Sequence, residues 1–215
     1  VGFSMQAVIV GGGDPPSKKI LDKYINEKSI IIAADGGANV LLNHEIHPNY
    51  LLGDFDSIDE KTYIEISNSS KTIRFPKEKD YTDSHIAFNK AVELGATEII
   101  FLGCTGKRID HFYANLCILN KGLKKSIDCR IIDEYNEIYL IDKPTNIFGK
   151  KGDIFSLFSY LEDTHDLTIE GVKYKLKNFE LAQGNNLTVS NEFEEEKVSI
   201  TFSKGCLIVV RIHKI

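Results

Sequence analysis

The sequence predicts an α/β fold followed by a smaller all-β domain. As far as about Asp133, short β-branched runs alternate with helical patterns. Beyond it, strand-like runs follow one another with no long helix between them. The punctuation differs too. Gly and Asp close most of the early strands, whereas turns rich in Gly, Asn and Asp separate the late ones.

Gln6 to Val10 reads as a strand ending in Gly11-Gly12-Gly13. Ser17 to Asn26 reads as a helix, with Ile20, Leu21, Tyr24 and Ile25 on one face. Ile30 to Ala34 is a strand that stops at Asp35-Gly36-Gly37, and Ala38 to Asn43 a short helix. Tyr50 to Leu52 leads into Gly53-Asp54-Phe55-Asp56-Ser57, and Thr72 to Phe75 is a further strand that ends at Pro76. Asp83 to Leu94 is an amphipathic helix with a Gly95 stop. Glu98 to Leu102 is a strand, His111 to Asn120 a helix, and Ile127 to Ile132 a strand. This rhythm predicts a largely parallel sheet covered by helices. Strands are then expected at Ile138–Ile141, Asp153–Phe158, Leu167–Ile169, Leu187–Val189, Val198–Phe202 and Leu207–Ile212, with Ser203-Lys204-Gly205 as a hairpin turn. These make a sandwich or a barrel-like domain. No internal repeat is visible.

The chain has 215 residues, enough for one large domain or two small ones with a substantial core. It is 42% hydrophobic and 27% charged, the composition of a soluble globular protein. A formal net charge of −5 argues against a nucleic-acid surface. No apolar window is long enough for a membrane span, and no signal peptide is visible, with Met5 the expected natural start. The cysteines match no disulfide or metal spacing; Cys117, Cys129 and Cys206 lie in apolar runs and are expected to be buried free thiols. That fits a reducing, cytoplasmic setting.

Asp35, Asp54, Asp56, Asp80, Asp83 and Asp110 each follow or flank a predicted strand. In open α/β sheets the carboxyl ends of the strands form the ligand crevice. Carboxylates gathered there repel one another unless a cation sits among them. Mg²⁺ carrying phosphates is the natural occupant, because it prefers hard oxygen ligands. Asp54 and Asp56 would share one face of an extended chain, with Phe55 turned to the core. They could equally end a strand and cap a turn. Thr82 or Asp80 can cap the helix that Asp83 opens, and Lys77 or Lys79 can neutralise phosphate. In Gly103-Cys104-Thr105-Gly106-Lys107-Arg108-Ile109-Asp110-His111, the glycines allow close backbone approach and Arg108 offers a fork for phosphate oxygens. Asp110 can cap the helix or act at a metal, and His111 can orient a neighbour. The segment is not a P-loop, and Gly11-Gly12-Gly13 lacks the full dinucleotide fingerprint. In the second domain Tyr174 can be core or a stacking surface, and Thr188, Ser190 and Asn191 offer small polar groups or simply a turn.

Together, Ala34-Asp35-Gly36-Gly37-Ala38-Asn39, Gly53-Asp54-Phe55-Asp56-Ser57, Lys79-Asp80-Tyr81-Thr82-Asp83, the Gly103–His111 segment and Ser190-Asn191-Glu192-Phe193 resemble the thiamine pyrophosphokinase family, in the family's order and over nearly the whole chain. The resemblance implies a Rossmann-like α/β catalytic domain over 5–136, with helices on both faces of the sheet. It implies a β-sandwich over 137–215 that binds thiamine and dimerises. It further implies a homodimer with active sites between subunits, and transfer of pyrophosphate from ATP to the thiamine hydroxyl, giving thiamine diphosphate and AMP. Carried over, Asp54, Asp56, Asp80 and Asp83 match the acidic metal and catalytic cluster, the first three as Mg²⁺ ligands. Arg108 and Asp110 match the phosphate-loop pair. Asp35, Gly36, Gly37, Lys79, Thr105, Gly106 and His111 fall on the nucleotide side. Tyr174 stands where some members have Trp, and Thr188, Ser190 and Asn191 match the thiamine segment. The alternatives are a regulatory protein that binds nucleotide or thiamine without releasing AMP, and a kinase of another small alcohol that releases ADP.

Overall fold

The computed structural model describes residues 4–78 and 80–213. It divides into two units, one ending at Glu134 and one beginning at Tyr135. The first unit is built on the strands β1 (Gln6–Val10), β2 (Ile30–Ala34), β3 (Tyr50–Gly53), β4 (Lys71–Arg74), β5 (Glu98–Leu102) and β6 (Asp128–Ile132). They lie in the order β6-β5-β1-β2-β3-β4, and every pairing is parallel. The chain starts in the middle of the sheet, goes one way to β4, then returns to β5 beside β1. The order therefore reverses between β1 and β5.

Both faces of the central strands are buried, which explains their unbroken apolar runs. Val8, Val10, Ala33, Leu51, Ile100 and Leu102 share a core cluster with Ile20 and Leu21 of α1 (Lys18–Tyr24), Ala38 and Leu41 of α2 (Gly37–Asn43), and Ile66 of α3 (Glu60–Ser69). The alternate residues Ala7, Ile9, Ile32 and Phe101 are also buried. Helix α4 (Asp83–Glu93) packs on β1, β2 and β3 and buries Ala87, Phe88 and Ala91. Helix α5 (Ile109–Lys124) packs on α4 and β6. Among the described residues no helix is long and apolar enough to cross a membrane.

The second unit contains β7 (Asn136–Ile141), β8 (Thr145–Phe148), β9 (Ile154–Ser159), β10 (Thr164–Glu170), β11 (Leu176–Leu181), β12 (Asn191–Glu192), β13 (Lys197–Thr201) and β14 (Leu207–Ile212). Within it, β12-β9-β14-β7 and β11-β10-β13-β8 form antiparallel arrays. Tyr139, Phe155, Leu157 and Val209 from the first array and Ile147, Leu167, Ile169 and Ile200 from the second make one buried cluster.

Several expectations need correction. Residues 187–190 form a turn rather than a strand, with Leu187 and Val189 exposed. Ser203-Lys204-Gly205 is not a hairpin turn: β13 pairs with β10 and β8, while β14 pairs with β7 and β9, so the segment carries the chain from one array to the other. A Cβ on Gly205 would lie 2.8 Å from the Cα of Thr164, so this crossing needs a glycine. Cys117 is exposed, whereas Cys104, Cys129 and Cys206 are buried. On α5, Leu116, Ile118 and Leu119 take the inner face and leave Cys117 outward.

Candidate active site

The reversal of strand order between β1 and β5 leaves a crevice beyond their carboxyl ends, because the following segments diverge. A cavity of about 500 Å³ lies in the first unit at this point. Gly11, Gly12, Gly13 and Asp14 after β1 line it, with Gly103, Cys104 and Thr105 after β5. Asp35 and Gly36 after β2, Ser57, and Thr82, Asp83 and Ser84 at the start of α4 complete much of the wall, together with Lys107, Arg108 and His111.

The two glycine segments are bound to each other. Gly11 N–H donates to the Leu102 carbonyl at 2.8 Å, Gly13 N–H to the Gly103 carbonyl at 2.8 Å, and Asp14 N–H to the Thr105 carbonyl at 2.9 Å. A Cβ on Gly13 would sit 2.1 Å from the Thr105 carbonyl oxygen. The glycines thus let two backbones meet and carry the crevice floor. Cys104 is buried beneath it, and desolvation pushes its thiol up to about 11. Asn115 of α5 donates to the Cys104 carbonyl at 2.8 Å and fixes the β5–α5 loop from below.

Asp35, Asp54 and Asp56 each offer a carboxylate oxygen, and these atoms lie within 4.8 Å of one another. Their convergence does not come from extended backbone. Asp35 (φ 47°) and Phe55 (φ 70°) are both left-handed, so the chain turns sharply at each. Phe55 packs against the core on one side of the Asp-Phe-Asp bend. Asp35 is held by its backbone N–H to the Leu52 carbonyl (2.8 Å). Its carboxylate accepts from the Phe55 N–H (3.1 Å) and from the Ser57 hydroxyl. Burial, then the like charges of Asp83, Asp54 and Asp56, raise its carboxyl above the usual range, against the Ser57 bond. Asp54 accepts from the Asp56 N–H at 3.0 Å. Hard oxygen donors under mutual repulsion fit a divalent cation such as Mg²⁺.

The third carboxylate of this group is Asp35, where the sequence suggested Asp80. Asp80 is exposed and lines a separate depression with Phe75, Pro76 and Tyr81. Thr82, not Asp80, caps α4, accepting from the His85 N–H at 3.3 Å. Asp83 is half-buried on the cavity wall. Gly37 starts α2, where a Cβ would lie 1.9 Å from the Val10 carbonyl oxygen. Arg108 and Asp110 pair with each other through bonds of 2.9 and 2.6 Å, both exposed. Arg108 holds the Asp110 carboxyl well below the usual range. Thr105 and His111 line the cavity, and Gly106 (φ 132°) sits against Asp14. Lys79 lies outside the described residues.

In the second unit, Tyr174 is 58% exposed. Its backbone is tied to Asn191, which accepts from the Tyr174 N–H (3.2 Å) and donates to the Tyr174 carbonyl (2.9 Å). Thr188 is buried and donates to the Leu157 carbonyl at 2.6 Å. Ser190 is exposed in a left-handed conformation, φ 57°. Sequence reasoning passed over Asp14, Ser84 and Asn115, and met Ser57 and Lys107 only as members of motifs, without a role of their own. The available signal for Asp14 was its place directly after the glycines that end β1.

The family model "Thiamin pyrophosphokinase, catalytic domain" matches residues 21–131, and "Thiamin pyrophosphokinase, vitamin B1 binding domain" matches residues 138–207. A thiamine pyrophosphokinase of Bacillus subtilis is 37% identical over 211 residues, covering 94% of this chain and 96% of the relative. A crystal structure of a Bacillus subtilis thiamine pyrophosphokinase superposes with a TM-score of 0.89 at 33% identity, covering 98% of this chain and 100% of the other. One from Geobacillus thermodenitrificans gives a TM-score of 0.86 at 28% identity, covering 98% of each chain. The chain belongs to the thiamin pyrophosphokinase family.

Proposed function

We propose that this chain transfers a pyrophosphoryl group from ATP to the hydroxyl of thiamine, giving thiamine diphosphate and AMP. The observation that carries this is the Asp35, Asp54 and Asp56 group beside the strand-end cavity, in a chain matched by both a catalytic and a vitamin B1-binding family model. The thiamine hydroxyl oxygen attacks the β-phosphorus. The bond from that phosphorus to the α,β-bridging oxygen breaks, and AMP leaves with that oxygen. The attacking group and the leaving oxygen must lie in line.

Asp54 and Asp56, with Asp35 as the third, would hold Mg²⁺, which when bound neutralises charge on the phosphate oxygens. Asp83, half-buried on the same wall, is the proposed acceptor of the hydroxyl proton, with Asp80 as the other candidate. Arg108 and Lys107 supply positive charge at the cavity edge for the phosphates, near Thr105, Gly106 and His111. Gly36 and Gly37 keep the backbone low on the nucleotide side, and Lys79 is assigned there from its motif alone. Asp110 positions Arg108 by their paired bonds.

Tyr174, Ser190, Thr188 and Asn191 are proposed for the thiamine side, the last two as supports that shape the turn. The exposure of Tyr174, Leu187 and Val189 supports a homodimer in which this face completes the site. The proposed setting is the cytoplasm. The proposed description of the units is a Rossmann-like domain over 5–136 and a β-sandwich over 137–215.

The test is to mix the protein with MgATP and thiamine and identify the nucleotide product by chromatography. AMP formed in step with thiamine diphosphate is expected. ADP, or binding of both substrates without turnover, would overturn the proposal.

A further inference from the structure

The carboxylate group already has a cation against it. Lys77 Nζ lies 2.5 Å from an Asp56 carboxylate oxygen. Asp56 is one of three carboxylates with oxygens within 4.8 Å of one another, so the ammonium sits in the field of the whole group. A second cation, Arg74 at the end of β4, lies close by but is tethered differently. Its guanidinium donates to the Asp54 backbone carbonyl (3.3 Å) and stacks over the Phe55 ring (5.5 Å to the centroid). Arg74 therefore braces the bend itself. Lys77 grips a carboxylate that the metal would need, and its side chain is 78% exposed. An exposed ion pair of this kind is weak and exchanges readily.

We propose that Lys77 is a resident counter-ion of the Asp35, Asp54 and Asp56 group, displaced from Asp56 when a divalent cation enters and then free to meet the phosphate oxygens brought with it. This rests on the metal reading given above. Lysine suits the role, being a compact charge on a flexible stem without a fixed fork geometry. Before the substrate arrives, Lys77 offsets the repulsion among the carboxylates and lowers their affinity for a bare ion. Afterwards, its charge adds to the attraction for the nucleotide. The device makes the site favour metal–nucleotide over metal alone.

The test measures Mn²⁺ binding without nucleotide by the loss of the free-ion EPR signal, in the native protein and in Lys77→Met, Lys77→Arg and Asp56→Asn. Lys77→Met is expected to bind Mn²⁺ roughly three- to tenfold more tightly at low salt, with the gain shrinking at high salt as the pair is screened. Lys77→Arg should stay near native. The KM for MgATP should rise several-fold in Lys77→Met. Unchanged or weaker Mn²⁺ binding by Lys77→Met overturns the counter-ion role. An unchanged KM overturns the hand-off to phosphate. Asp56→Asn separates the two levels. If it binds Mn²⁺ as the native protein does, the metal reading fails, and Lys77 with it. If it loses Mn²⁺ while Lys77→Met gains nothing, only the Lys77 proposal fails.

Discussion

The Asp35–Asp54–Asp56 group of the first unit and the Thr188–Asn191 segment of the second, a turn that runs into β12, were both marked in the sequence by short oxygen-bearing side chains. The structure uses them in opposite ways. Asp35 and Asp54 accept bonds that set the bend, yet each group member still turns a carboxylate oxygen toward the others. Thr188 and Asn191 are buried, and their polar atoms meet backbone groups of their own unit. The difference lies in what surrounds the side chain. At the ends of parallel strands the neighbouring backbone is turning away, so side chains are left facing one another. In a turn laid over an antiparallel array, backbone N–H and C=O groups without ladder partners stand close and take up the side-chain bonds.

The largest expected effect breaks the first side of this contrast. Asp56→Asn should lose roughly 10²–10³-fold in kcat/KM for AMP release, as when one electrostatic contact to a transferring group is removed. Its thermal midpoint should hardly move, since Asp56 is exposed. Asn191→Ala should do the reverse. It removes an acceptor from the Tyr174 and Glu192 N–H groups and a donor from the Tyr174 carbonyl. The expected cost is about 2–3 kcal/mol in urea unfolding, set by buried groups left unsatisfied. If Asn191→Ala instead abolishes turnover at native stability, the contrast is wrong and Asn191 faces substrate.

Asp35 sharpens the comparison because it has both characters. Its carboxyl is raised above the ordinary 3.8, mainly by burial and then by its acidic neighbours. The folded protein therefore holds this proton to higher pH than the unfolded chain does. Without divalent cation, this group's contribution to stability is greatest below 3.8 and falls as pH rises through the folded value. Asp35→Asn keeps an acceptor for the Phe55 N–H and should flatten that part of the thermal-midpoint profile. Adding Mg²⁺ to the native protein should raise the midpoint more at neutral pH than near pH ~4, because it binds the ionised form. A midpoint indifferent to saturating Mg²⁺ at both pH values, in Lys77→Met as well as in the native protein, would remove the cation from the site.

How much of this was legible follows the same line. The bounds of β1, β2 and β5 coincide with the runs read from sequence, because continuous apolar residues can hardly be anything else when buried on both sides, whereas β14, whose bounds also coincide, alternates buried Leu207 and Val209 with half-buried Ile208 and Val210. Helix α3 was missed because it buries only Thr62 and Ile66 while Ile64 points to solvent, which blurs the apolar stripe. Strand β11 was missed because Asn178 is left-handed and breaks the alternation of an already polar edge strand. The Asp-Phe-Asp pair was visible as a pair, but its geometry rests on left-handed Phe55, which no spacing rule supplies. The partnership of Asp35 with it needs β2 beside β3, a tertiary fact. The buried fate of Thr188 was likewise hidden, since a polar residue in a turn usually faces water.

The smallest effect concerns Arg108 and Asp110, which lie between the two extremes. They resemble Asp56 in exposure and Asn191 in having their polar atoms taken up, here by each other. Arg108 holds the Asp110 carboxyl below the usual range, so any stability the pair gives is present above the ordinary 3.8 and lost as pH falls toward the lowered value. Both side chains are open to solvent, which screens the pair, and Arg108→Lys should leave the thermal midpoint unchanged across neutral pH. What Lys cannot keep is the planar fork shared between Asp110 and an incoming phosphate, so the KM for ATP should rise roughly threefold to tenfold with kcat less affected. A lower midpoint with unchanged KM would make the pair a brace for the start of α5, and would move it to the structural side of the comparison.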